Sequence, residues 1–77
     1  MELTIKYFGM LAEVTKCGEE KLDCAAKTIE ELLDFLFVKY PDLKGKEFKV
    51  AQGQEFVSLE APLAETELVL LPPFSGG

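Results

Sequence analysis

The chain has 77 residues, 48% of them apolar, and carries eight positive against fourteen negative charges for a net charge of −6. That length allows one domain with a small core, and the apolar content argues against disorder. Every cation is a lysine, so the arginine fork that suits phosphate and guanine is missing, and an acidic field repels a polyanionic backbone. Nucleic acid is therefore not an expected partner. A partner with a basic face fits the charge balance, and so does plain solubility.

No apolar run approaches the roughly 20 residues of a membrane span, and Met1-Glu2-Leu3-Thr4 lacks the basic start of a signal peptide. The expectation is a cytoplasmic protein with no membrane partner. Histidine is absent and only two cysteines occur, Cys17 and Cys24, so neither a metal site nor a disulfide framework is expected. Each cysteine is expected as a small buried or loop residue.

In chain order, Leu3-Thr4-Ile5-Lys6-Tyr7 alternates, which puts Leu3, Ile5 and Tyr7 on one face of a strand that Gly9 breaks. Leu11-Ala12-Glu13-Val14-Thr15 either makes a short helical turn or loops over. After the turn at Cys17-Gly18, Glu20-Lys21-Leu22-Asp23-Cys24 alternates again, and the two runs form an antiparallel hairpin with a long connection. Thr28 is an N-cap with Glu31 three residues on, a capping box. Ile29, Leu32, Leu33, Leu36, Phe37 and Tyr40 then recur with helical spacing as one apolar stripe, until Pro41 ends the helix.

Lys44-Gly45-Lys46 is expected as a loop. Phe48-Lys49-Val50-Ala51-Gln52 and Glu55-Phe56-Val57-Ser58-Leu59 flank Gly53 as a second hairpin. The last strand, Glu67-Leu68-Val69-Leu70-Leu71, is apolar on both faces. One face packs on the helix; the other must meet a neighbour or a partner protein. The economical fold class is α+β, with one main helix laid across a mixed sheet of about five strands.

The chain offers no self-contained active site. Without histidine there is no ordinary triad, and the glycines form no phosphate-cradling loop ahead of a helix. The carboxylate clusters Glu19-Glu20, Glu30-Glu31 and Glu65/Glu67 lie in polar segments and read as solvated surface. What remains is the tail, residues 72–77, beyond a domain of residues 1–71. Pro72 and Pro73 hold its start near polyproline geometry and aim it outward. Phe74 offers an apolar anchor and Ser75 is small. Gly76 and Gly77 suit a channel too narrow for any side chain. Extended, the six residues reach at most about 20 Å. The carboxylate of Gly77 is a poor electrophile until it is activated, most simply as an acyl-adenylate.

The stretch Val57-Ser58-Leu59-Glu60-Ala61-Pro62-Leu63, followed by Glu67-Leu68-Val69-Leu70-Leu71-Pro72-Pro73-Phe74-Ser75-Gly76-Gly77, resembles the small subunit of molybdopterin synthase. Tyr7-Phe8-Gly9-Met10-Leu11-Ala12-Glu13 is similar to that family's first strand and loop. The Pro-Pro-x-x-Gly-Gly ending is the specific part. The resemblance implies a ubiquitin-like, β-grasp sulfur carrier that holds no cofactor of its own. A ubiquitin-activating-like adenylyltransferase would use ATP and magnesium to adenylate Gly77. A sulfur donor protein would then convert the acyl-adenylate to a thiocarboxylate, leaving a C-terminal 1-thioglycine. Pro72 to Gly77 would enter a tunnel in the large synthase subunit, in a heterotetramer, and deliver sulfur to a pterin precursor for the molybdenum cofactor. Phe8, Leu68, Leu70 and Leu71 are the expected interface.

Two positions depart from the family pattern. Ala64-Glu65-Thr66-Glu67 stands where an Asp-Gly-Asp-like turn is usual, and Phe74 replaces a small aliphatic residue. Two other readings stay open: a sulfur carrier for thiamine, tungsten-cofactor or another sulfur-transfer pathway, and a ubiquitin-like modifier conjugated through Gly77. A plain interaction module is a third.

Overall fold

Alternating burial along Glu2–Tyr7 makes strand β1, with Leu3, Ile5 and Tyr7 turned into the core. A computed structural model describes residues 2–73 of the chain. After β1 come helix α1 (Met10–Thr15), strand β2 (Glu19–Asp23), helix α2 (Ile29–Lys39) and a 3-10 helix over Pro41–Gly45. Strands β3 (Lys49–Gln52), β4 (Glu55–Val57) and β5 (Glu67–Leu71) complete the chain's regular elements. The five strands form one sheet in the order β2-β1-β5-β3-β4. β1 and β5 pair in parallel at its centre, and every other pairing is antiparallel. This is the expected α+β class, a mixed five-stranded sheet under one main helix, in the β-grasp arrangement.

Helix α2 begins where the sequence places it. Thr28 Oγ1 accepts from the Glu31 N–H at 3.2 Å, but the Glu31 carboxylate reaches back to the Lys27 N–H at 2.9 Å, one residue before the cap. The other early donors of the helix are met from the chain after β4. Ala61 O accepts from the Ile29 N–H at 3.0 Å, and Leu59 O from the Glu30 N–H at 2.9 Å. That demand explains why β4 stops at Val57 and not at Leu59 as expected: the carbonyl of Leu59 is spent on a helix end that would otherwise be unsatisfied. Ile29, Leu32, Leu33 and Leu36 are buried, with Phe37 and Tyr40 packed at the margin, so the apolar stripe faces the sheet.

Of the expected loop Lys44-Gly45-Lys46, the first two residues belong instead to the 3-10 helix over Pro41–Gly45. Pro41 starts the 3-10 helix, which drives Leu43 completely into the core. The Leu11-to-Thr15 segment resolves as helix, burying Leu11 and Thr15. Cys24, just past β2, is buried and takes the Ala26 N–H at 3.4 Å; Cys17 is half-buried, and no disulfide joins them. Among the described residues no helix is long and apolar enough to cross a membrane.

A polar knot ties the N-terminal hairpin to the end of α2. Glu20 Oε1 accepts from the Tyr7 hydroxyl at 2.6 Å and the Tyr40 hydroxyl at 2.9 Å, while Glu20 Oε2 meets Lys39 Nζ at 2.7 Å. The Tyr7 and Tyr40 rings stand edge to face, 6.2 Å apart. Burial, and then the Glu20 carboxylate, push both phenols far above the ordinary tyrosine range. For Glu20 burial works in the opposite sense, toward protonation. The hydrogen bonds from Lys39, Tyr7 and Tyr40 together outweigh it and hold the carboxyl below its usual value. A carboxyl depressed in the folded state contributes stability above its unfolded pKa and loses it as pH falls through the folded value. Glu20→Gln should therefore cost about 1–2 kcal/mol in urea unfolding at pH 7. The gap from the parent protein should close as the pH drops below the ordinary glutamate value of 4.5.

Candidate functional site

The site is built at the end of the sheet where β1 and β5 leave it together. Parallel pairing sets Ile5 beside Leu68 and Tyr7 beside Leu70, and the Phe8 N–H donates to Leu70 O at 3.1 Å. Both strands therefore finish on the same edge of the domain. Pro72 follows β5 half-buried, and Pro73 is exposed. Phe74, Ser75, Gly76 and Gly77 lie outside the described residues.

The register decides which face of β5 is available. Leu68 and Leu70 are both 0% exposed, packed with Ile5, Leu32 and Leu36 in the core, so they cannot form an interface as the sequence reading expected. A strand's faces alternate, and the outward set is Glu67, Val69 and Leu71. Across the sheet Lys6, Val69, Ala51 and Phe56 fall in one row, and Leu71 lies beside Lys49 in the next. Phe8 continues that second row on the β1 side, 47% exposed, with Met10 exposed just beyond it. Phe56 is exposed too, with Lys49 Nζ 5.5 Å above its ring. Of the expected interface residues, Phe8 and Leu71 stand on this outer face.

Val69, Ala51 and Phe56 were missed. Their signal lay in strand parity, which becomes readable only once the inward set of β1 is carried across the β1–β5 register. Charge on this face is mixed: Lys6 Nζ lies 3.4 Å from the Glu67 carboxylate, and both side chains are well exposed. Such a pair holds position more than it stabilises.

The turn before β5 is set by a side chain from β3. Gln52 Nε2 donates to Pro62 O at 3.0 Å, and Gln52 Oε1 accepts from the N–H groups of Ala64 at 2.8 Å and Glu65 at 3.3 Å. The Thr4 N–H then donates to Thr66 O at 2.8 Å. Ala64-Glu65-Thr66-Glu67 thus reaches the start of β5 without a glycine, because Gln52 meets its backbone groups.

The other end of β5 is held by packing. Gly9 lies in the left-handed half of backbone space, at φ 61° and ψ −138°, opposite the Pro72 ring. A Cβ at residue 9 would come within 2.8 Å of Pro72 Cγ.

Known proteins share this arrangement over its full length. The archaeal modifier protein SAMP1 of Haloferax volcanii superposes with a TM-score of 0.82 at 28% identity, covering 100% of both chains. SAMP1 of Methanosarcina acetivorans gives 0.77 at 26% identity, over 99% of this chain and 96% of the other. A structure of the complex of subunits 1 and 2 of the molybdopterin-converting factor from Helicobacter pylori contains a chain that matches at 0.65 and 24% identity, over 100% of each; that likeness carries the fold alone. The ThiS family model matches residues 5–77, from the first strand through both terminal glycines. The chain belongs to the ThiS family, with the ubiquitin-like fold of its sulfur carriers and modifiers.

Proposed function

We propose that the protein is a sulfur carrier that works through the carboxylate of Gly77, as the small subunit of a molybdopterin synthase. The observation that carries this reading is the family match running through residue 77 on a chain whose last strand is locked into the core up to Leu70. A domain anchored in this way can hand its terminus to another protein without unfolding. The carboxylate attacks the α-phosphorus of ATP and releases pyrophosphate, in the site of an adenylating partner that supplies magnesium. A hydrosulfide equivalent from a sulfur donor then attacks the acyl carbon. AMP departs with one carboxylate oxygen, leaving a thiocarboxylate. The outer sheet face, with Phe8, Val69, Leu71 and Phe56, is the docking surface for the large subunit, and residues 72–77 carry the sulfur to a pterin precursor. Donation to thiamine synthesis or another sulfur-transfer route uses the same first steps. The carrier supplies the sulfur, and the cytoplasmic partners supply catalysis.

A second reading is a ubiquitin-like modifier, in which a target lysine displaces AMP and forms an isopeptide. The likeness to SAMP1, a protein named as a modifier, favours it. Intact mass spectrometry of protein isolated from cells separates the two. A carrier shows a gain equal to one sulfur minus one oxygen at the C-terminus and reacts there with a thiol-specific alkylating reagent. A modifier gives a ladder of adducts on other proteins. Deletion of Gly77 should abolish either product, and normal cofactor synthesis after that deletion would sink the carrier reading.

The docking surface has its own test. Phe8→Asp and Leu71→Asp should weaken large-subunit binding about 10-fold or more, read by calorimetric titration. Each should shift stability by no more than about 1 kcal/mol. Leu70→Asp buries an unpaired charge and should unfold the domain outright. Full binding by both surface variants would move the interface elsewhere.

A further inference from the structure

Gly9 is exposed, it sits beyond the last residue of β1, and none of the chemistry above uses it. Its backbone conformation is nevertheless one that L side chains rarely adopt, and its open face is filled by Pro72. The chain around it is fixed on both sides. The Phe8 N–H is held by Leu70 O, while Phe8 O takes the Leu11 N–H at 3.2 Å and Gly9 O takes the Ala12 N–H at 3.1 Å. Pro72 is equally constrained, with φ locked by its ring and no N–H to continue the ladder with β1. The proline ring therefore rests on the bare backbone of the β1–α1 turn, at the point where the chain leaves the sheet.

We propose that Gly9 is a positioning residue for the root of the C-terminal tail: the missing side chain seats Pro72 and thereby sets the heading on which the chain passes from the sheet into the site of the adenylating partner. The inference rests on the carrier reading given above. A Cβ 2.8 Å from Pro72 Cγ is closer than real contacts allow, and the ring can answer with no more than a change of pucker. Left-handed φ at residue 9 adds strain for any L side chain, so the rest of the displacement falls on the backbone at residue 9 or at the root of the tail. Misplacing a reacting group by even about 1 Å can cost two orders of magnitude in rate.

The test measures pyrophosphate release by the activating enzyme of the same organism, with ATP and the full-length carrier as substrates. The parent protein is compared with Gly9→Ala, Pro72→Ala and the double variant. Gly9→Ala should lower kcat about 10-fold or more, with a smaller effect on the KM for the carrier, because the interaction removed is one made as the terminus reaches the reacting phosphate. A partly unfolded population would do the reverse, raising the apparent KM while sparing kcat. Because the two residues act through one contact, the double variant should be no worse than the worse single one. An unchanged kcat in Gly9→Ala, or additive losses in the double variant, would overturn the proposal. If Gly9→Ala does not fold, Pro72→Ala alone decides, since it removes the ring and leaves Gly9 undisturbed. A parent protein that no such enzyme adenylates would count against the carrier reading instead. Positioning is then judged by the Cα–Hα residual dipolar coupling of Pro73. It should change in Pro72→Ala, and an identical coupling would refute the proposal.

Discussion

The burial of Leu68 and Leu70 beneath α2 is the constraint on which the rest of the molecule depends. Each buried leucine contributes about 1.5–3 kcal/mol from area removed from water, and together they fix the register of β5 against both β1 and β3. That register determines which side chains line the outer face. It also brings Phe8 and Gly9 alongside Leu71 and Pro72, because parallel strands end on the same side. The strand that completes the core is the strand that holds the tail. A loosened core position would therefore be felt at Pro72, and the outer sheet face and the root of the tail cannot be placed independently of each other.

The electrostatic arrangement follows the same division of labour. The carboxylates at the start of α2, Glu30 and Glu31, stand where a helix N-terminus favours negative charge. Lys39 in the last turn is drawn to Glu20, where it meets the hairpin and completes a half-buried knot from its exposed side. On the outer sheet face lysines and glutamates are interspersed around an apolar row. The net charge of −6 therefore says little about the proposed docking surface, where Lys6 and Lys49 flank Val69, Leu71 and Phe56.

Much of the fold was legible in the sequence because local signals agreed with the tertiary outcome. Thr28 capped the helix as read, Pro41 stopped it, and β5 occupies Glu67–Leu71 as the apolar run implied. Where the reading failed, the deciding interaction was distant in sequence. A strand that is apolar on both faces cannot announce its own parity, so Leu68 and Leu70 were placed at an interface until pairing with Ile5 and Tyr7 turned them inward. β4 ended early because helix α2 claimed the carbonyl of Leu59. At the candidate site, Pro72-Pro73 and Gly76-Gly77 carried the family resemblance, and the family match runs through them. The positions of residues 74–77 lie outside the described structure. Gly9 read only as a strand breaker, because the ring it faces lies at the far end of the chain.

That separation has a consequence for how the molecule assembles. The central β1–β5 pair joins Thr4 to Glu67, so it closes a loop made of nearly the entire chain. Pairings of that kind form slowly, because the entropy of closure must be met before any contact rewards it. The hairpin β1–β2 and helix α2 can form from local contacts, but until β5 arrives the sheet is split between β1 and β3. An incomplete or unfolded chain thus presents neither the apolar row nor the turn on which Pro72 rests. Only the finished fold brings the outer face and the root of the tail together.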